Sequence, residues 1–87
     1  MTPEEAWRLK KEGKSELAKG ESLYKQAGAF GSPGYSAKIA EARGHLYRAM
    51  DSFNKIPDYL SDPELEALST QCALRISHCF KAPVDTH

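Results

Sequence analysis

The sequence predicts an all-α protein, a bundle of three antiparallel helices. Three observations carry this expectation. Apolar residues recur at spacings of three and four along three separate stretches, the period of one helix face. No stretch alternates apolar and polar residues as a half-buried strand does. Loop-forming residues, Gly31-Ser32-Pro33-Gly34 and the run from Pro57 to Pro63, divide the three stretches. With 87 residues there is room for one small domain. It is expected over residues 1–82, with helices at about 3–28, 36–56 and 63–81 and a frayed tail over 83–87.

The first helix opens on Thr2-Pro3-Glu4-Glu5, which supplies a hydroxyl cap, a proline at the first helical position and a glutamate that can return a hydrogen bond to the cap. Ala6, Leu9, Gly13, Leu17, Gly20, Leu23 or Tyr24, and Ala27 then form its apolar stripe. Lysines, arginine and glutamates fill the solvated side. A glycine inside a helix costs about 1 kcal/mol relative to alanine. Gly13 and Gly20 on the apolar stripe therefore imply a close approach by the next helix. The second helix carries Ile39, Ala42, Leu46, Ala49 or Met50, and Phe53, and Pro57 ends it by removing a backbone donor. Ser61-Asp62-Pro63-Glu64 restarts the chain with a cap and a first-turn proline. The third helix presents Leu65, Leu68, Cys72, Ile76, Cys79 and Phe80 on one face and should stop before Pro83.

Composition excludes several functions. Twelve basic residues balance twelve acidic ones, whereas nucleic-acid modules carry a basic excess facing phosphate, so no nucleic-acid partner is expected. No run of about 18 apolar residues exists to insert in a membrane, and the opening stretch lacks the apolar core of a signal peptide. Cys72 and Cys79 lie about 10 Å apart along one helix, too far for a disulfide. Two free thiols point to a reducing compartment, the cytoplasm by default.

Catalytic and metal-binding constellations are sparse, and the chain reads as a non-enzyme without cofactor. His45 and His78 each sit on a helix among apolar neighbours, whereas acid–base chemistry needs a partner in a shielded cleft. The six- and seven-residue separations among Cys72, His78 and Cys79 miss the i, i+3 or i, i+4 spacing of helical metal ligands. No strand and lysine accompany Gly28, Gly31 and Gly34 as a phosphate-binding loop requires. The basic cluster Arg8, Lys10, Lys11, Lys14 and Lys19 is interleaved with Glu5, Glu12 and Glu16 and pairs locally.

Small residues and aromatics at set intervals hold the most information. Gly20, followed by Leu23-Tyr24 and then Ala27-Gly28-Ala29-Phe30, resembles the first helix and turn of a tetratricopeptide repeat. Ala42, Leu46 and Ala49 match the small, bulky, small positions of that repeat's second helix, and Pro57 lies near its terminating proline. Residues 67–74 look like the first helix of a following repeat. The resemblance covers about Gly20 to Phe80, one and a half repeats. It departs from the family in an insertion of about ten residues between the first two helices, a longer first helix, and Glu16 at the family's tryptophan position.

What the resemblance implies is a non-catalytic adaptor or scaffold that binds a peptide or helix of a partner protein. The family's carboxylate clamp would fall on Leu17, Glu21 and Gln71, where the acidic residue repels a carboxylate; a register shifted to Gly13 would use Lys10 and Lys14, still without asparagine. In such hairpins the first helices of successive repeats line the concave face, which here means helices one and three. The implied surface comprises Leu17, Glu21, Tyr24, Gln71, Leu74 and Arg75. Arg75 is the leading contact, because a guanidinium grips a carboxylate bidentately; its alternative role is an ion pair with Glu21. Tyr35, within the insertion Gly31–Ser36 expected to be a mobile loop, is either a further contact or a staple packed back on helix two. An end helix of such an array keeps an uncovered flank, so a second copy docking through helix three is a further candidate partner. The microtubule-interacting and trafficking domain, a three-helix module that binds amphipathic helices, is the second resemblance; its short first turn does not match this insertion. The remaining alternative is a purely structural or oligomerisation bundle.

Overall fold

The computed structural model describes residues 1–80. They form three α-helices, α1 (Pro3–Ala27), α2 (Tyr35–Asn54) and α3 (Pro63–Phe80), with a 3₁₀ turn at Asp58–Leu60 and no strand among the described residues. The expected end of helix three at residue 81 and the tail 83–87 lie outside the described residues.

Local chemistry sets the helix ends. At α1 the Glu5 amide donates to Thr2 Oγ1 at 3.1 Å and the Thr2 amide donates to Glu5 Oε1 at 2.8 Å, a reciprocal cap with Pro3 just inside it. The helix closes at Gly28, whose φ of 75° is easy only for glycine. Turn hydrogen bonds from the Ser32 amide to the Ala29 carbonyl and from the Tyr35 amide to the Ser32 carbonyl, each 3.0 Å, carry the chain into α2. Tyr35 is thus the first residue of α2 rather than part of a loop, which corrects the sequence expectation. At α3, Asp62 Oδ1 accepts from the Leu65 amide at 2.7 Å. Glu64 turns away from that cap to reach lysines on α1.

α1 packs chiefly on α2, and α3 leans on α2. Rising residue numbers on α1 meet falling numbers on α2: Gly13 lies against Phe53, Gly20 against Leu46 and Gln26 against Lys38. A Cβ at Gly13 would overlap the Phe53 ring. One at Gly20 would sit 2.7 Å from Leu46 Cγ and 3.1 Å from the Ala42 carbonyl oxygen. The glycines therefore let two long helices close on one another. Leu17, Ile39, Ala42, Leu46, Ala49, Phe53, Cys72 and Cys79 are buried as the periodicity predicts. Leu9, Leu23, Tyr24, Leu68 and Ile76 pack at the margin of this core. Leu65 is buried as its position on the α3 face implies, and Ile56, in the connection before Pro57, is buried as well. Phe80 departs from the sequence reading, being 60 % exposed.

Candidate functional site

α1 and α3 lie side by side, joined by long polar side chains rather than by close backbone contact. Lys10 Nζ pairs with Asp62 at 3.0 Å and with Glu64 at 2.5 Å, and Lys14 reaches Glu64 at 3.2 Å. One helical stretch further on, Gln71 Nε2 donates to Glu21 Oε2 at 2.7 Å, and Arg75 Nε lies 3.6 Å from the same oxygen. The Arg75 guanidinium covers the Tyr24 ring at 4.8 Å, a cation–π contact. Its Nη1 donates to His78 Nδ1 at 3.2 Å, which requires that nitrogen to be unprotonated. These contacts bring Glu21, Tyr24, Gln71 and Arg75 together as the sequence predicts, but as partners for one another.

The remaining expected contacts lie elsewhere. Leu17 is only 4 % exposed and belongs to the core beneath this seam, because its stripe faces α2. Leu74 is 57 % exposed, at the solvent edge of the row formed by Gln71, Arg75 and His78. Tyr35 packs edge-on against Phe30 with ring centroids 5.5 Å apart, at the far end of the molecule from Lys10. Arg75 thus faces Glu21, Tyr24 and His78, and its buried Nε has no hydrogen-bond partner within the described residues.

Electrostatics stiffen both helix contacts. The hydrogen bond from His45 Nδ1 to Glu16 Oε1, 2.5 Å, holds the Glu16 carboxyl below its usual 4.5. Lys10, followed by Lys14, does the same for Glu64. The Leu65 amide, then Lys10, lowers Asp62 from 3.8. Cys72 donates from Sγ to the Leu46 carbonyl at 3.0 Å, and burial pushes its thiol up to about 11. Burial raises the Cys79 thiol too. Both thiols are therefore poor nucleophiles at neutral pH. Among the described residues no three His, Cys, Asp or Glu side chains gather as metal ligands.

A true concavity lies at the start of the molecule. A cleft of about 200 Å³ is lined by Pro3, Ala6, Trp7, Ile56, Leu60 and Leu65 together with the Lys10–Asp62 pair. It forms because the 3₁₀ turn carries the chain across the first turns of α1 before α3 begins. Trp7 stands 63 % exposed at its edge, with Lys11 Nζ 5.0 Å above the ring. On its other side Trp7 also borders a depression formed with Lys10, Lys11, Lys14 and Glu64. Sequence reasoning missed Trp7, although a signal was present: an aromatic residue one step off the Ala6–Leu9–Gly13 stripe, flanked by Arg8, Lys10 and Lys11. The cleft itself joins residues more than fifty positions apart.

No helix among the described residues is long and apolar enough to cross a membrane. No family model, curated protein or solved structure matches the chain.

Proposed function

We propose that the chain is a non-catalytic protein–protein interaction module, which holds a peptide or helix of a partner protein through an apolar side chain seated in the Trp7 cleft. The observation that carries this is the pairing of a 63 % exposed tryptophan with an apolar concavity beside it. Exposed aromatic anchors next to a pocket, surrounded by charged residues, have the composition of binding hot spots. Lys11, over the Trp7 ring, supplies a charged group at the same place to orient a ligand. The architecture in this reading is a tetratricopeptide-like antiparallel hairpin with an additional helix. Its support is the crossing of Gly13 and Gly20 with Phe53, Leu46 and Ala42. A purely structural bundle would cover both flanks of α3, whereas its outer side carries the exposed Leu74 and Phe80. Its proposed setting is the cytoplasm, a compartment suited to two buried free thiols.

Trp7 is the single tryptophan, so its emission reports this site without a label. Peptides selected from a displayed library of helical sequences should shift Trp7 fluorescence on binding the intact chain. The Trp7→Ala variant should bind them at least about tenfold more weakly while keeping its melting midpoint, since the side chain is exposed. Selected peptides that bind the variant equally well, or a selection that yields no binder, would remove the site.

A further inference from the structure

We propose that the outer face of α3 pairs with the same face of a second copy of this chain, antiparallel, about a two-fold axis passing between Ala73 and Leu74. This surface is separate from the Trp7 cleft and does not depend on it. Between Ala67 and Phe80 the only charged residue is Arg75, and it is turned to α1. The solvent side of α3 over roughly four turns therefore consists of Ala67, Thr70, Ala73, Leu74, Ser77 and Phe80, all exposed. That composition stands out in a chain with 28 % charged residues. Ala67, Thr70, Leu74 and Ser77 step by three, four and three, the spacing of a helix-pairing seam.

The face is complementary to itself in size. About the stated axis, Ala67 of one copy comes level with Phe80 of the other, Thr70 with Ser77, and Ala73 with Leu74. Each large side chain meets a small one, and the centre of the contact is narrow enough for two backbones to approach.

It is also complementary to itself in charge. The beginning of α3 carries Glu66, exposed at the border of this face, and the end of the face carries Arg43 of α2, whose guanidinium lies 4.9 Å from the Phe80 ring centre. Neither makes an ion pair among the described residues. Antiparallel pairing brings Glu66 of one copy beside Phe80 and Arg43 of the other, twice by symmetry. A parallel arrangement would instead set Glu66 against Glu66. Tyr47, 48 % exposed and 6.4 Å from the Phe80 ring, extends the apolar border on the same side.

Sedimentation equilibrium of the full chain from micromolar to millimolar concentration tests this. The expected result is a reversible dimer. Leu74→Asp should weaken it at least about tenfold with unchanged far-ultraviolet circular dichroism, because Leu74 is exposed. Glu66→Arg should weaken it as well, and adding Arg43→Glu to Glu66→Arg should restore it. Trp7→Ala should leave the dimer intact, which separates this result from the fate of the cleft. A monomer throughout the range would assign the face to a different protein or to solvent and overturn the proposal. So would a dimer indifferent to Leu74→Asp, or a double charge reversal that fails to restore association.

Discussion

Gly20 and Gly44 are both helical glycines, and only their neighbours distinguish them. At Gly20 an added methyl would press on Leu46 Cγ at 2.7 Å and on the Ala42 carbonyl at 3.1 Å. At Gly44 its nearest neighbour would be Arg48 Nη1 at 4.0 Å. The gain from alanine's better helix propensity, about 1 kcal/mol at either position, is therefore opposed only at Gly20. Gly44→Ala should stabilise the fold by about 0.5–1 kcal/mol, and Gly20→Ala should destabilise it by about 1–3 kcal/mol through overpacking. Denaturant melts of the two variants check this; equal stabilisation by both would contradict the close crossing. The close approach at Gly20 is legible in the sequence because glycine has few other reasons to occupy an apolar stripe. The exposure of Trp7 and Phe80 is not legible in the same way. Periodicity tells where a side chain points along its own helix, but not whether another element arrives to cover it.

Among the elements, α1 is tied to α3 by ion pairs and to α2 by the Glu16–His45 pair beside the apolar core, which makes the assembly of helices sensitive to acid. Glu16, Asp62 and Glu64 all have folded-state values below those of free carboxyls, 4.5 for glutamate and 3.8 for aspartate. A depressed value means that the folded chain favours the charged form. The stability this contributes is complete above the unfolded values and is lost as pH falls through the lower folded ones. The melting midpoint should therefore hold near neutrality and fall between about pH 5 and about pH 3. Glu16→Gln should lower the midpoint at neutral pH and flatten the acid slope, because glutamine keeps a hydrogen-bonding oxygen but carries no charge to lose. A midpoint independent of pH over that interval would show these pairs to be energetically idle, as many exposed ion pairs are. The caps at Thr2 and Asp62 were readable from four-residue patterns. The lysine pairs on Asp62 and Glu64 were not, since they span about fifty residues.

At the scale of the whole molecule, Leu46 is the point where all the packing meets. It is fully buried, it fills the space left by Gly20, and its carbonyl accepts from the Cys72 thiol on α3. Leu46→Ala should cost about 2–5 kcal/mol, a large share of the about 5–15 kcal/mol that holds a small domain together. Equal denaturant midpoints for variant and parent would place the centre of the core elsewhere. The described chain measures 48 × 20 × 14 Å. In so slender a body each helix keeps a broad outer side, which leaves room for the two separate surfaces at Trp7 and on α3.

The sequence by itself determined that the described chain is helical, where α1 and α2 start and stop and where α3 starts, each within a residue or two, and which stripe of α1 and α2 enters the core. These properties depend on caps, prolines and a 3.6-residue period, all of which act within a few neighbouring residues. Only the tertiary structure decided that Glu21 and Arg75 face each other as an ion pair, that Ile56 is buried, and that Trp7 edges a cleft. Those outcomes depend on how far each helix is rotated and shifted against the next, which is settled by packing between residues distant in the chain. A hydrophobic pattern specifies a face to be covered, and the partner helix chooses which of its edges stay open.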